Sequence, residues 1–229
     1  MKIKTLSQYL DCFQNNSKDD YILFRGQRRN WSLIPKIGRL FPKDTLSEEN
    51  KMLQTFRRQA PFFISSFPSN DWDLLSIAQQ HGLPTRLLDW TRNPLTALWF
   101  AIHKTGKKGI NAVIWSYKPD DDDIIINPEA PESPFEGKRT KVFEPRHIIP
   151  RIRAQEGVFT VHKYMPKRKK FIPFKKITRQ KDKLKKIKID TAAIPNLLNE
   201  LYRCGIHAAT LYPDLDGLSK RIKWENMAL

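Results

Sequence analysis

Short apolar runs of strand length alternate with helical patterns along this chain, and that alternation limits what it can fold into. Residues 111–117 (NAVIWSY) are almost entirely apolar and predict a buried strand. Residues 91–104 begin with Thr91 as a capping residue, have Pro94 in the first turn and repeat apolar residues at helical spacing, so they predict a helix. No linker composition divides the chain. We therefore expect an α+β fold with flanking helices, in a single domain that spans residues 1–229.

Similar patterns predict the other elements. Residues 21–24 predict a buried strand that ends in a turn at Arg25-Gly26. Helices are predicted at residues 47–60, 71–80 and 194–204, and strands at 158–161 and 208–212. Residues 181–189 alternate Lys with apolar residues, which predicts an exposed strand whose lysines discourage pairing at a sheet edge.

Composition excludes several classes of protein. With 40% hydrophobic and 28% charged residues, the chain is typical of a soluble globular protein and not of a disordered or fibrous one. No run reaches 18 apolar residues, and the first twelve residues lack the apolar core of a signal peptide. The two cysteines, Cys12 and Cys204, have no motif spacing and favour a reducing compartment. These features predict a cytoplasmic protein without a transmembrane segment.

Positive charge is concentrated near the C-terminal end. The formal net charge is +17, and residues 163–188, the basic segment, hold 13 basic residues and one acid, a net +12. An anionic partner is expected, and nucleic acid is favoured because aromatic residues alternate with cations, as in surfaces that contact phosphates and stack on bases. An acidic protein, membrane headgroups or a merely solvated surface stay open as alternatives. The cations predicted to contact nucleic acid are Lys167, Arg168, Lys169, Lys170, Lys175 and Lys176.

Polar residues cluster in a connection between two predicted helices. Residues 79–101 (QQHGLPTRLLDWTRNPLTALWFA) contain His81, Arg86, Asp89 and Thr91 within eleven positions. Polar side chains grouped in a connection often bind a ligand. The alternative is structural: Asp89 and Thr91 would cap the following helix, and Arg86 would pair with Asp89. The residue types alone leave both interpretations open.

The arrangement of these motifs resembles the FRG domain, a family named for its Phe-Arg-Gly motif. Phe24-Arg25-Gly26-Gln27 carries that motif, and the long run at residues 80–91 is its most specific match. The further matching blocks are residues 31–35, 93–94, 97–101, 153–155, 157, 159–160, 162 and 213–218. The resemblance covers most of the chain, and it implies a family found mainly in bacteria and phages.

A second, more distant resemblance is to ADP-ribosyltransferases of the Arg-Ser-Glu type. Arg25-Gly26 is similar to their first-strand Arg-Gly, Thr91 falls at their Ser-Thr-Ser position, and residues 97–101 are similar to the end of their following helix. The resemblance implies a split β-sheet core with NAD as substrate in the cleft. Arg25 and Thr91 would be catalytic, and Arg25, Gly26, His81, Arg86, Asp89 and Trp90 would bind the dinucleotide. An Arg fork suits a pyrophosphate, and a hydroxyl suits a ribose.

The third element of that resemblance is weaker. Gln155 falls where those enzymes have their catalytic Glu, and Glu156 is its neighbour. If residues 155–156 belong to a strand, only one of the two side chains can enter the cleft. A carboxylate is needed to stabilise an oxocarbenium-like state, so Glu156 could reach the site, Asp89 could replace it, or the cleft could bind without catalysing. Asp214 and Asp216 are further candidates, although a turn before Gly217 is favoured for them.

The two resemblances imply an FRG-domain, ADP-ribosyltransferase-like enzyme that uses NAD, in a toxin or phage-defence role, and the basic segment predicts that it acts on nucleic acid or another anionic target. The alternative is a non-catalytic nucleic-acid-binding module on the same scaffold. A metal-dependent nuclease is disfavoured because no metal-binding carboxylates cluster. Four consecutive aspartates at residues 120–123 predict a solvated turn, since they cannot all converge on one ion. No metal is therefore expected.

Overall fold

A mixed sheet of eight strands forms the centre of the molecule, and helices cover it. The computed structural model describes residues 2–15, 20–40, 45–64, 67–104, 111–125 and 133–227. The strands are β1 (Lys2–Ile3), β2 (Leu23–Gln27), β3 (Leu87–Thr91), β4 (Val113–Tyr117), β5 (Ile124–Ile125), β6 (Lys141–Phe143), β7 (Gly157–Val161), β8 (Tyr164–Met165), β9 (Lys170–Phe171) and β10 (Leu184–Ile189). The helices are α1 (Leu6–Asp11), α2 (Lys36–Leu40), α3 (Thr45–Gln59), α4 (Asp71–Gln80), α5 (Pro94–Ile102), α6 (Pro150–Ala154), α7 (Thr178–Lys181), α8 (Ile194–Arg203), α9 (Ala208–Leu211) and α10 (Leu215–Met227).

The strand order is β1-β10-β4-β2-β3-β7-β6-β5, while β8 and β9 form a separate two-stranded sheet. β1 with β10 and β5 with β6 are parallel pairs, and the other neighbours are antiparallel. The described residues form one compact body of mixed α and β structure. The expected mixture of helices and strands in a single body is confirmed at this level.

Alternation along the strands separates the core into clusters on the two faces of the sheet. In β3, Leu87 packs with α3 and α4, whereas Leu88 and Trp90 pack with residues of β4 and with Phe174 on the other face. A third cluster lies where α5 and α8 cover β2 and β4. The central strands β3, β4 and β7 are thus mostly buried on both faces, and the few polar residues among them stand out.

Gly26 lets α5 lie directly on β2. A Cβ at this position would lie 1.8 Å from the carbonyl oxygen of Ala97 and 2.7 Å from the amide nitrogen of Ala101. Ala97 and Ala101 of α5 therefore pack closely against Gly26 of β2. This contact holds α5 against β2.

Most predicted elements are confirmed, and some are wrong. α4 has the predicted bounds, β4 lies within the predicted residues 111–117, and β7 covers the predicted residues 158–161 and begins one residue earlier, at Gly157. β2 does not end at Arg25-Gly26 but continues through Gln27, because it pairs with β4 over its whole length. Asn93, not Thr91, caps α5, since its side chain accepts the amides of Leu95 and Thr96.

The strand predicted at residues 208–212 is wrong, because this segment forms α9, which His207 caps at its first turn. The exposed strand predicted at residues 181–189 is β10. It pairs with β4 on one side, and on the other side only Lys188 and Ile189 pair with β1, so the rest of its outer side has no strand partner among the described residues. No helix in the described part of the chain is long and apolar enough to span a membrane.

Candidate ligand-binding site between two central strands

The central strands β2 and β3 lie side by side but are joined at one point only. Phe24 pairs with Thr91, whereas β2 pairs with β4 through five residues and β3 pairs with β7 through five. Beyond Thr91 and Phe24 the two strands run on without pairing. Backbone groups that are not used in strand pairing there can form hydrogen bonds with side chains. Arg25, for example, donates from Nη1 to the carbonyl oxygen of Asp89.

A cavity of about 390 Å³ lies at this opening. The two strands contribute three consecutive residues each, α4 and α5 contribute one each, and α6 with its following turn and the end of α9 close the other side. The lining residues are Phe24, Arg25, Gly26, Gln80, Asp89, Trp90, Thr91, Phe100, Arg151, Gln155 and Tyr212. The volume is in the range of small-molecule sites, and the wall combines aromatic rings with a few polar groups, as such sites do.

Arg25 carries the buried positive charge of this cavity. Its side chain is 16% exposed, its Nη1 lies 3.5 Å from Oδ2 of Asp89, and its Nε has no hydrogen-bond partner among the described residues. Burial lowers the pKa of Arg25, Asp89 opposes that shift, and the positive charge of Arg39 adds to it. A buried donor without a partner beside a cavity is suited to an anionic or hydroxylated ligand.

Asp89 supplies the carboxylate of the cavity. Its side chain is half-exposed, and Gln79 donates to Oδ1 at 3.1 Å and to Oδ2 at 3.3 Å. Gln79 in turn accepts the hydroxyl of Thr85 at 2.7 Å, which fixes the orientation of its amide. The carboxylate is therefore held in place by α4 and remains open to the cavity.

Thr91 is buried at the point where the strands meet. Its hydroxyl donates to the carbonyl oxygen of Gln155 at 2.6 Å and accepts the amide of Asn93 at 3.0 Å. The hydroxyl proton is thus used within the protein. Since a hydroxyl has two acceptor lone pairs, one remains for a ligand donor.

Gln155 and Glu156 do not belong to a strand. Gln155 follows α6, Glu156 adopts a left-handed backbone with φ of +46°, and β7 begins only at Gly157. Gln155 lines the cavity and donates from Nε2 to the carbonyl oxygen of Leu211 at 2.9 Å. Glu156 is exposed and accepts from Nδ2 of Asn93 at 3.0 Å. A turn, not strand alternation, directs the two side chains apart, and only Gln155 reaches the cavity.

The other predicted dinucleotide-binding residues lie in three different environments. His81 is exposed after the last residue of α4 and does not line this cavity. Arg86 is buried and donates from Nη2 and Nε to Oε2 of Glu49, at 2.7 and 3.1 Å. Its predicted alternative pairing with Asp89 is wrong, because Glu49 takes its guanidinium. Trp90 lines the cavity, while its indole donates to Oγ1 of Thr160 at 2.9 Å in the core.

Several residues of the site were not predicted from the sequence. Gln79 and Gln80 lie within the 79–101 motif, so their position there was an available signal. Arg151 and Tyr212 carry no such signal, because their approach depends on how α6 and α9 pack. Arg151 donates from Nε to Oδ2 of Asp214 at 3.1 Å, and Asp214 accepts the amide of Gly217 at 2.8 Å, in agreement with the turn interpretation of Asp214.

No described residue of the basic segment lines this cavity. The six cations predicted to contact nucleic acid are exposed, and none forms an ion pair with a described residue. The prediction of base stacking by the intervening aromatics is wrong for Phe171 and Phe174. Both rings are buried in the core, at 3% and 0% exposure, so the segment can offer charge but not those two stacking surfaces.

The acidic turn is only partly solvated. Asp123 is fully buried, with Arg139 at 2.7 Å from Oδ1 and Arg179 at 3.1 Å from Oδ2. Arg179 and Lys183 of the basic segment also pair with Asp120. These ion pairs offset most of the negative charge of the turn, and no group of three potential metal ligands occurs among the residues with described positions.

The fold and this cavity define a mixed α/β protein with a polar site in its central sheet. Residues 20–109 match the family model of the FRG domain, which supports the FRG family for this part of the chain. The matched region includes β2, β3, α4 and α5, and thus Arg25, Asp89 and Thr91. Comparison with curated proteins and with solved structures gave no match.

Proposed function

We propose that the cavity between β2 and β3 binds NAD and that the protein is an ADP-ribosyltransferase-like enzyme with a split-sheet core. The observation that carries this proposal is the single pairing of β2 with β3, which leaves Arg25, Asp89, Thr91 and Gln155 around one cavity. That arrangement agrees in order with the resemblance stated for the sequence. An NAD site at this position uses the two strands as its walls.

Each side chain has a role that its chemistry supports. Arg25 binds the pyrophosphate or a ribose through its free donors, and Thr91 and Gln155 accept hydroxyl protons from the nicotinamide ribose. The bond between nicotinamide and ribose C1 breaks, and nicotinamide leaves with the electron pair. The acceptor then bonds to C1 and releases a proton. Asp89 faces the positive charge that develops at C1, as a carboxylate does in glycoside chemistry.

Asp89 is the carboxylate that we assign to this role, in place of Glu156. Its support is its position in the cavity wall, whereas Glu156 is exposed and bonded to Asn93. Without a carboxylate at the Gln155 position, the negative charge of the site rests on Asp89. The acceptor would be an anionic target such as nucleic acid, and a toxin or phage-defence role is part of the same proposal.

The test is NAD turnover and NAD binding by the purified protein. We expect nicotinamide release from NAD and a rise of the thermal midpoint in its presence, because a ligand that binds only the folded state stabilises it. Arg25→Ala should lower both the rate of nicotinamide release and the affinity for NAD by at least tenfold. Arg153→Ala, which changes an exposed arginine outside the cavity, should change neither quantity. Melting curves without NAD show whether Arg25→Ala still folds. Absence of both turnover and protection in the wild type would overturn the proposal, and protection without turnover would overturn the enzymatic part.

A second candidate function is nucleic-acid binding through the basic segment, without catalysis. The observation that favours it is a group of six exposed cations that form no ion pair with any described residue, four of them at the β8–β9 hairpin and two in the turn that follows. Such a surface contacts phosphates and produces a strong dependence of affinity on salt.

Its test is the salt dependence of binding to a short DNA duplex. The triple variant Lys167→Gln, Lys169→Gln, Lys170→Gln should make the negative slope of log K against log salt shallower by about 3, roughly one for each phosphate that is no longer neutralised. The matched control replaces Lys4, Lys51 and Lys138, three exposed lysines outside the segment. Equal slopes for the two triple variants would contradict a specific role of the segment.

A further inference from the structure

A second and larger cavity lies between the helices α5, α8 and α10. Its volume is about 490 Å³, which is within the range of small-molecule sites. It is separate from the cavity between β2 and β3, although the Tyr212 side chain is common to both walls. Nothing in the proposed NAD chemistry uses its other residues.

Aromatic rings form much of the wall. Trp99 and His103 stack at 3.8 Å between ring centroids with 5° between their planes, and Tyr202 and Trp224 lie 5.1 Å apart at 31°. His103, Tyr202 and Trp224 are half-buried, so part of each ring faces the cavity. Burial lowers the pKa of His103 to about 4, and its imidazole is therefore uncharged at neutral pH. The rings offer flat apolar surfaces to a planar ligand.

Lysines surround the rings. Lys104, Lys220 and Lys223 line the cavity, are exposed and form no ion pair with a described residue. The fourth cation, Arg221, has a carboxylate partner in Glu225 at 3.7 Å. Three ammonium groups that have no counter-ion in the described part of the chain, next to aromatic surfaces, complement a ligand with both a planar ring and a negative charge.

We propose that this cavity binds a free mononucleotide, with its base against the aromatic wall and its phosphate near the lysines. The cavity has room for one nucleotide, and its cations gather around a single chamber instead of following a track, so we assign a free nucleotide and not a strand. This site is independent of the proposed NAD chemistry, because it uses neither Arg25 nor Asp89.

The test is calorimetric titration of the full chain with AMP. We expect saturable binding at least tenfold tighter than that of adenosine or of inorganic phosphate. Adenosine lacks the phosphate that the lysines would bind, and inorganic phosphate lacks the base that would stack on the rings. Trp224→Leu should weaken AMP binding at least tenfold, because the base would have no ring to stack on at that position. The double variant Lys220→Gln, Lys223→Gln should weaken AMP binding and leave adenosine binding unchanged. It changes only exposed side chains, so it stays informative if Trp224→Leu does not fold.

A control variant tests whether the lysines of this cavity are the ones that matter. Lys175→Gln with Lys176→Gln removes the same charge outside the cavity and should leave AMP binding unchanged. Absence of saturable AMP binding would overturn the proposal. AMP binding that is abolished in Arg25→Ala but kept in Trp224→Leu would overturn it too, because the nucleotide would then occupy the other cavity. A single-stranded oligonucleotide that binds more tightly than AMP and displaces it would overturn the assignment of a free nucleotide.

Discussion

At the scale of single residues, two carboxylates lie near Thr91, and the structure gives them different surroundings. Asp89 lines the cavity and is held by Gln79, whereas Glu156 is exposed and held by Asn93. Changing either residue to the corresponding amide removes one negative charge. They therefore form a matched pair for testing which carboxylate serves the proposed reaction.

We expect Asp89→Asn to lower the rate of NAD turnover about 100-fold or more, because a preorganised charge at the reacting centre contributes on this order. Glu156→Gln should leave the rate within about twofold. The measurement is nicotinamide release at saturating NAD, with binding followed separately by thermal shift. A larger loss in Glu156→Gln than in Asp89→Asn would show that the carboxylate has been assigned to the wrong residue.

Sequence reasoning reached part of this site. Arg25, Gly26, Asp89, Trp90, Thr91 and Gln155 were expected near one ligand and do line one cavity, although their catalytic and binding roles stay predictions. His81 and Arg86 were expected there as well and are not in the wall. The sequence of a motif does not show whether its histidine or arginine faces a ligand, solvent or a buried glutamate. For Arg86 the partner is Glu49, 37 positions away, and only the tertiary structure reveals this pair.

At the scale of elements, the close contact between α5 and β2 positions the site. Gly26→Ala would introduce a methyl group 1.8 Å from the carbonyl oxygen of Ala97, a backbone atom that can move only with its helix. We expect a loss of about 3 kcal/mol or more in the free energy of unfolding, at the upper end of overpacking effects. Urea denaturation measures it.

Gly137→Ala is the matched control for this substitution. The nearest atom to its added Cβ is the carbonyl oxygen of Arg139 at 3.5 Å, an ordinary contact, so we expect a change within about 0.5 kcal/mol. If the two variants lose the same free energy, Gly26 is not required for the packing of α5.

Elements were predicted where the pattern was local. α4 was predicted with its observed bounds, and the structure adds Asn70 as its N-cap; the apolar runs at β4 and β7 became strands. Residues 208–212 were predicted as a strand but form a short helix, because His207 and Thr210 exchange capping hydrogen bonds and this segment has no strand partner among the described residues. The turn at residues 155–156 was missed because its left-handed residue is a glutamate and not a glycine.

At the scale of the whole molecule, buried histidines connect stability with pH. Burial, with a smaller effect of Arg25, lowers the pKa of His162 to about 3, against an ordinary value of 6.5. As the pH falls below 6.5 the unfolded chain binds a proton that the folded chain rejects until about pH 3. The stability present above pH 6.5 is therefore lost progressively as the pH falls through this window.

The free energy of unfolding of the wild type falls between pH 7 and pH 5. We expect this fall to be about 2 kcal/mol smaller in His162→Gln. His103, whose pKa is lowered to about 4 by burial, adds a loss of the same sign, so the single variant reduces the slope without abolishing it. The measurement is the free energy of unfolding in urea at a series of pH values. His81→Gln, which changes an exposed histidine, serves as the control. An unchanged slope in His162→Gln would contradict the prediction.

How much of the net charge of +17 is available to a partner also depends on the whole molecule. The sequence locates most of the excess in residues 163–188. The structure divides that segment: Arg179 and Lys183 form ion pairs with the acidic turn, whereas the lysines of the β8–β9 hairpin have no ion-pair partner among the described residues. Phe171 and Phe174 are core residues, so the charge of the hairpin is available to a partner and those two rings are not.

The sequence by itself determined the mixed composition of helices and strands, the location of the charge and the FRG-type motifs, because these depend on local spacing and residue type. Tertiary structure alone decided that β2 and β3 pair at one point, that Gln155 and not Glu156 reaches the cavity, and that α10 covers a second cavity. Each of these depends on contacts between residues far apart in the chain. Backbone pairing and side-chain direction at such contacts are set by packing, which no local pattern records.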